Sequence, residues 1–306
     1  MNGFCVMIDE LIEKISQGQD FGRLFLELPS LRERHSPLNK EYQKWKAAAR
    51  RGAEKLFSST TPIPRDFGPF GSLTLPYFQM GHIDSINLFD LDELIIFSFY
   101  WKNRKRYKNV LDVGANIGLH SIILDKCGYK VKAYEPDPQH YQALQRNLRL
   151  NDRHNIQAFN KAVSSAEGEM EFVRVMGNTT GSHLAGSKAS PYGELERFPV
   201  KLESILNIIG WADLMKLDAE GHEKHILLAT GKEAWEKTDS IVEVENEKNA
   251  VSIFEYFREL KVNLFAQKIN WQKVRKAEDM PNSYKEGSLF ISCKKEMPWD
   301  EKRTMA

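Results

Sequence analysis

Five ionisable side chains fall within Lys216-Leu-Asp218-Ala-Glu220-Gly-His222-Glu223, three of them carboxylates. Carboxylates packed that closely repel one another unless a cation, a metal or a proton is shared among them. Glu243 and Glu245, in Ile241-Val-Glu-Val-Glu245, alternate toward one face of an extended segment and enlarge the acidic group. The chemistry this composition allows is removal of a proton from an acceptor hydroxyl, with Asp218, Glu220 and His222 as candidate catalytic residues; a neutral imidazole does this near pH 7. A divalent metal on Asp218, Glu243 and Glu245 is a second way to use the cluster, although no ligand spacing demands one. Glu223 reads equally as support for a helix start, and Lys216 as the partner of a carboxylate.

A second chemical signal lies upstream, in Val110-Leu-Asp-Val-Gly-Ala-Asn-Ile-Gly-Leu119, where an apolar strand, a glycine turn and an amphipathic helix follow without a spare residue. Gly114 and Gly118 are spaced G-x-x-x-G, whereas a dinucleotide fingerprint needs G-x-G-x-x-G so that backbone can press against a pyrophosphate. Asn116 stands where the middle glycine would be, and its side chain obstructs a pyrophosphate. A nucleoside bearing an amino acid instead of phosphates tolerates the wider turn, which describes S-adenosylmethionine. Asp112 is placed to take that molecule's ammonium, and the amides at the helix start its carboxylate. Twenty-one residues past Gly114, Tyr134-Glu135-Pro136-Asp137 ends another apolar run and sets Glu135 where such folds meet ribose hydroxyls.

The elements around these sites alternate. Val110 to Val113 and Val131 to Tyr134 read as strands, and Asp137 caps a helix with Pro138 at its first position. Ile156 to Val163 reads as a third strand, Leu214 to Asp218 as a fourth and Ile241 to Glu245 as a fifth. Val262 to Ala266 and Ser288 to Cys293 read as an antiparallel pair, because the loop between them is too irregular for a crossover helix. Residues 177 to 198 read as one long loop whose Asn178, Thr179, Thr180, Ser182 and His183 either bind a polar acceptor or are solvated. Trp271 and Tyr284 are core or stacking surfaces. The pattern predicts an α/β, Rossmann-like, doubly wound sheet over residues 109–296, preceded by a helical, satellite-like extension at 1–65 and a connecting strand and helix at 66–108. The connector holds Ser72 to Phe78 as a short edge strand and Leu91 to Tyr100 as a helix. The extension carries no nameable chemistry.

Composition narrows the partners. Of 306 residues, 42% are hydrophobic, enough for a sizeable core, and 43 Lys+Arg against 42 Asp+Glu leave no general attraction to nucleic acid. Cys5, Cys127 and Cys293 form no Cys-x-x-Cys pair, which points to reduced thiols in a cytoplasm. The opening residues, with Asp9, Glu10 and Glu13, fit neither signal nor transit peptide. Leu94 to Trp101, the longest apolar run, is far short of the ~20 residues that span a bilayer.

With these residues in view, the chain resembles the FkbM-type family of class I S-adenosylmethionine-dependent methyltransferases. Asp112 to Gly118, Glu135-Pro136, Asn147-x-x-x-Asn151, Ala162, Lys216 to Glu223 and the acidic fifth strand match that family's pattern in order and spacing, over about Val110 to Glu247. The resemblance implies a seven-stranded sheet with its last strand antiparallel and O-methylation of a sugar or glycan-type hydroxyl. It implies that Asp112, Gly114, Ala115, Asn116 and Gly118 cradle the methionine part, Glu135 and Pro136 the ribose and residues near Ala162 the adenine. Asp218 to Glu223 then line the reacting centre. The rivals are a methyltransferase of non-sugar small molecules, a nucleic-acid base methyltransferase, a nicotinamide oxidoreductase and a cofactor-binding protein without turnover. The base methyltransferase is disfavoured because the fourth strand lacks a Pro-Pro-aromatic segment.

Overall fold

The computed structural model describes residues 2–188 and 193–299, with side chains from residue 8 onward. Residues 189–192, part of the expected long loop, lie outside the described residues. The chain opens with helices α1 (Asn2–Ser16), α2 (Phe21–Glu27) and α3 (Lys40–Phe57). Asn39 caps α3 by accepting from the Glu41 amide at 2.9 Å, and its Tyr42, Trp45, Ala49, Ala53 and Phe57 are buried. The expected edge strand shrinks to Ser72–Leu73, paired with Arg65–Asp66. Helix α4 (Leu91–Lys102) follows, buried from Leu94 to Tyr100 on all sides because other elements cover it completely.

The main sheet is built from β1 (Asn109–Val113), β2 (Lys130–Tyr134) and β3 (Gln157–Phe159). Helix α5 (Leu119–Lys126) and helix α6 (Pro138–Leu150) make the crossovers between them. Further along come β4 (Ala162–Ser164), β5 (Gly168–Val175), β6 (His183–Leu184), β7 (Leu195–Ser204), β8 (Leu214–Leu217) and β9 (Asp239–Val242). Last are β10 (Asn263–Ala266), the two-residue β11 (Gln272–Lys273) and β12 (Leu289–Ser292). Short α7 (Glu223–Leu227) and longer α8 (Glu247–Leu260) cover the second half. The order across the sheet is β11-β10-β12-β9-β8-β1-β2-β3. Pairing is parallel from β3 to β9, while β12 runs antiparallel between β9 and β10. This is the doubly wound sheet with an antiparallel last strand that the sequence implies, with β11 as a small added edge.

Alternation sends each strand's side chains to two cores. Val110, Leu214, Ile241 and Phe290 face one side, shared with α4, α5, α6 and the N-terminal helices. Leu111, Met215, Val242 and Ile291 face the other, under α8 and Trp235. The extension is therefore packed into the first core rather than lying beside it.

Two expectations are corrected. Ile156 to Val163 is not one strand: β3 joins the main sheet and β4 a second, four-stranded sheet ordered β6-β5-β7-β4. The break falls at Asn160, whose carboxamide donates to the carbonyls of Glu135 and Pro136, both at 2.9 Å. The expected loop of residues 177–198 holds β6 and the start of β7, so it belongs to a sheet that roofs the carboxyl ends of the strands. No described helix is long and apolar enough to cross a membrane.

Candidate active site

A cleft of about 1270 Å³ opens at the carboxyl ends of β1, β2, β8 and β9, where doubly wound sheets hold ligands. Its floor is the turn after β1. Gly114 has φ +76°, and a Cβ there would stand 1.7 Å from the Asp218 carbonyl oxygen, so only glycine lets the two strand ends meet. Asn116 is also left-handed, at φ +51°. The amides of Gly114 and Ala115 both donate to the Tyr134 carbonyl at 3.0 Å, Asn116 N to Glu135 Oε2 at 2.7 Å, and Gly118 N to the Ala115 carbonyl at 2.8 Å. Glu135 Oε1 accepts from Asp137 N at 2.8 Å, so one carboxyl joins the turns after β1 and β2. Burial pushes that carboxyl up to about 8, against the two amides that favour its ionised form.

Gly114, Asn116, Glu135, Pro136 and Ala162 line the cleft. Asp112, Ala115 and Gly118 do not. Asp112 is fully buried beneath the turn, its Oδ2 accepting from Ser121 Oγ at 2.5 Å while its Oδ1 has no partner. Gly118 starts α5 at φ +89° and lets Leu144 pack within 3.0 Å of where its Cβ would be, a packing role.

The acidic cluster gathers beside this turn, at the ends of β8 and β9. Asp218, Glu220, His222, Glu243 and Glu245 all line the cleft. The shared cations are lysines: Lys188 Nζ reaches Glu220 at 2.6 Å and Glu245 at 3.2 Å, and Lys216 Nζ lies 3.3 Å from Asp218. Among the described residues no group of three or more His, Cys, Asp or Glu is arranged to hold a metal ion, so Asp218, Glu243 and Glu245 are not assembled as ligands. Burial and then the Asp218 charge push Glu220 up to about 8, and the same two causes lift Glu243 well above the carboxylate range. Glu223 accepts from the amides of Ala219 and Gly221 at 2.8 and 3.1 Å, supporting the turn that starts α7. His222 is engaged within the protein at both ring nitrogens. Its Nε2 meets Ser164 Oγ at 2.9 Å, its Nδ1 meets Ser187 Oγ at 3.1 Å, and burial with the neighbouring His225 lowers it to about 4.

A family profile described as the methyltransferase FkbM domain matches residues 112–268, half of the chain. The chain belongs to the FkbM methyltransferase domain family. A curated relative, methyltransferase sdnD of Sordaria araneosa, is 28% identical over 44% of this chain and 64% of its own length, so the chain spans less than two thirds of it. Among solved structures the chain is similar to a SAM-dependent methyltransferase of Agrobacterium tumefaciens, with 10% identity, TM-score 0.36 and coverage of 66% and 62% of the two chains. It is likewise similar to a precorrin-6y C5,15-methyltransferase of Geobacter metallireducens, with 11% identity, TM-score 0.35 and coverage of 64% and 85%.

Residues outside the FkbM span also line the cleft, and the sequence reading missed them. Tyr42 and Lys46 come from α3, Asp90 from the residue ahead of α4, and Asp92 and Glu93 from its first turn. Glu93 pairs with His120 Nε2 at 2.8 Å, and His120 Nδ1 with Tyr100 Oη at 3.1 Å. Burial would raise Glu93, but the imidazole outweighs it and holds the carboxyl below its ordinary value. The signal is a pair of acids, Asp92 and Glu93, at the start of an otherwise apolar helix. Within the FkbM span, Asp137 forms a buried two-pronged pair with Arg174 of β5, both contacts 2.6 Å, tying the roof sheet to the end of β2. The loop residues fold the roof. His140 Nε2 meets Thr179 Oγ1 at 2.9 Å, Thr180 Oγ1 donates to Asn178 Oδ1 at 2.7 Å, Ser182 Oγ accepts from Val175 N at 3.1 Å, and His183 Nδ1 meets the Gly181 carbonyl at 3.0 Å. Trp271 is core, donating to His35 at 2.9 Å, whereas Tyr284 is exposed at the cleft mouth.

Proposed function

We propose that this chain is an S-adenosylmethionine-dependent O-methyltransferase that acts on a hydroxyl of a sugar or glycan-type acceptor. One observation carries the choice of donor. The amides of residues 114, 115, 116 and 118 are all occupied within the protein, and a carboxyl faces the turn. A pyrophosphate needs free amides and no facing carboxylate, so the turn suits a nucleoside without phosphates. The residues fit that group: Glu135 has lone pairs left for ribose hydroxyls, Asn116 Oδ1 is buried without a partner, and Ala162 with Val163 offers an apolar wall for a base. The ammonium expected at Asp112 falls instead to Glu93, a carboxylate in the cleft that His120 keeps ionised.

When bound, the donor supplies an electrophilic methyl group on sulfonium. The protein's part is to hold the acceptor hydroxyl in line and receive its proton. Asp218 with Glu220 forms the receiving group, and a carboxyl whose pKa burial lifts toward neutrality, as at Glu220, is when ionised a better acceptor than an ordinary one; Glu243, lifted well above the carboxylate range, holds its own proton. A methyltransferase acting on non-sugar small molecules is the alternative reading.

Calorimetry should show S-adenosylhomocysteine binding and NADH failing to bind. Glu135→Ala should weaken the nucleoside by about tenfold, as loss of its hydrogen bonds to the ribose, with a buried partner left unpaired, implies. Asp218→Asn should bind it normally yet lose methyl transfer from radiolabelled donor to glycans. Tight NADH binding would overturn the donor assignment, and full turnover in Asp218→Asn would remove that residue from the reaction.

A further inference from the structure

The end of the cleft built by α3 and the start of α4 lies outside the FkbM span and carries polar groups that the protein does not satisfy. Tyr42 is only 1% exposed, and its hydroxyl lies toward the Asp92 carboxyl without a well-aligned hydrogen bond. Burial, and after it the Asp92 charge, push its pKa up, so the hydroxyl stays a donor. Asp90 Oδ1 is likewise buried without a partner, while its Oδ2 meets Lys46 at 3.1 Å. Asp92 is taken by Gln267, which donates at 2.6 Å, and lies 3.8 Å from Lys46. Glu93 is engaged by His120.

The charge of this wall is one-sided. Asp90 and Asp92 share one lysine, Lys46, so an anionic group entering here meets no free cation. Two buried polar atoms without partners favour a ligand that completes them, because unpaired polar groups are costly in a low-dielectric site. A ligand rich in hydroxyls does so by accepting from Tyr42 and donating to Asp90. An apolar acceptor satisfies neither, and a uronate, although its hydroxyls could donate, brings a carboxylate toward Asp90 and Asp92.

We infer that the segment preceding the family domain builds the acceptor subsite, in which Tyr42 and Asp90 bind hydroxyls of an uncharged polyol and anionic acceptors are rejected. This rests on the methyltransferase reading and deepens it, since it assigns the acceptor's recognition to residues the family domain does not contain. Tyr42 and Asp90 act as positioning residues: they hold the acceptor while the group around Asp218 receives its proton.

The test uses the full chain saturated with S-adenosylhomocysteine and two probes, an uncharged methyl hexoside and the matching methyl hexuronide, followed by saturation-transfer NMR and calorimetry. The hexoside should bind and the hexuronide should bind about tenfold more weakly. Tyr42→Phe, which removes only a hydroxyl, and Asp90→Asn should each weaken the hexoside by about fivefold. S-adenosylhomocysteine affinity should stay within about twofold of the unmodified protein, since neither side chain faces the glycine turn. Asp90→Asn should also narrow the gap between the two probes. Equal binding of both probes, unchanged hexoside affinity in both variants, or no hexoside binding by a protein that binds the nucleoside would overturn the subsite. Failure of the unmodified chain to bind S-adenosylhomocysteine would instead sink the methyltransferase reading, and the subsite with it.

Discussion

Two backbone amides converge on the Glu135 carboxyl, yet burial still holds it up at about 8, and Glu220 and Glu223 sit at about 8 and 7 for the same first cause. An unfolded chain releases these protons near 4.5, so between that pH and about 8 the folded state binds more protons than the unfolded one, and stability falls as pH rises. Buried His35 and His222, lowered to about 4, act in the opposite direction, but only below their unfolded value near 6.5. From pH 6.5 to 8 the carboxyls act alone. The urea midpoint of the ligand-free protein should therefore drop across that interval, and Glu135→Gln, which cannot ionise, should flatten the drop. A midpoint that stays level, or a slope indifferent to Glu135→Gln, would show that this carboxyl is ionised throughout.

His222 belongs to a larger unit, because it links the end of β4, through Ser164, to the roof segment, through Ser187. His222→Ala removes both links from a buried position, so amide exchange at Leu184 to Lys188 should quicken several-fold while β1 and β2 keep their protection. Uniform quickening would mean general destabilisation; no change would mean that the Arg174–Asp137 pair alone holds the roof. Elements of this kind were only partly legible in the sequence. The strand, glycine turn and helix at 110–126 and the Asp137 cap showed because their signals are local: Asp137 Oδ1 does accept from Gln139 N, at 2.8 Å. The break at Asn160 was hidden because apolar residues continue across it and the cause is a carboxamide reaching back to β2. The roof was read as a loop because β5 carries Glu169 and Glu171 on an outward face and pairs with β7 across a long connection. At Asp112 the residue type suits an ammonium, while its side chain lies buried beneath the turn rather than in the cleft lining, a difference the sequence signal does not carry.

At the scale of the whole molecule, the decisive fact is that the helical extension and the sheet share one core. Phe57 of α3 stacks on Phe89 at 4.4 Å, Phe67 bridges both to Phe97 of α4, and α4 in turn carries Glu93 into the cleft. Polar ties cross the same boundary: Ser98 Oγ donates to the Phe25 carbonyl at 2.7 Å, and Gln267 Nε2 to the His35 carbonyl at 3.0 Å. With so much apolar surface in common, neither part can open without exposing the other's interior, so both should unfold in one cooperative step. Phe57→Ala leaves a large cavity at that junction and should cost about 3–5 kcal/mol. S-adenosylhomocysteine, which the proposed function seats on the glycine turn tens of residues away in sequence, should raise the same transition by mass action. Calorimetry of the unmodified chain and of Phe57→Ala, each with and without the nucleoside, separates the cases. A single peak that the substitution lowers and the ligand raises fits a shared core. Two peaks, one moved only by Phe57→Ala and the other only by the ligand, would mean that the extension folds on its own and that its contribution to the cleft is docked rather than built in.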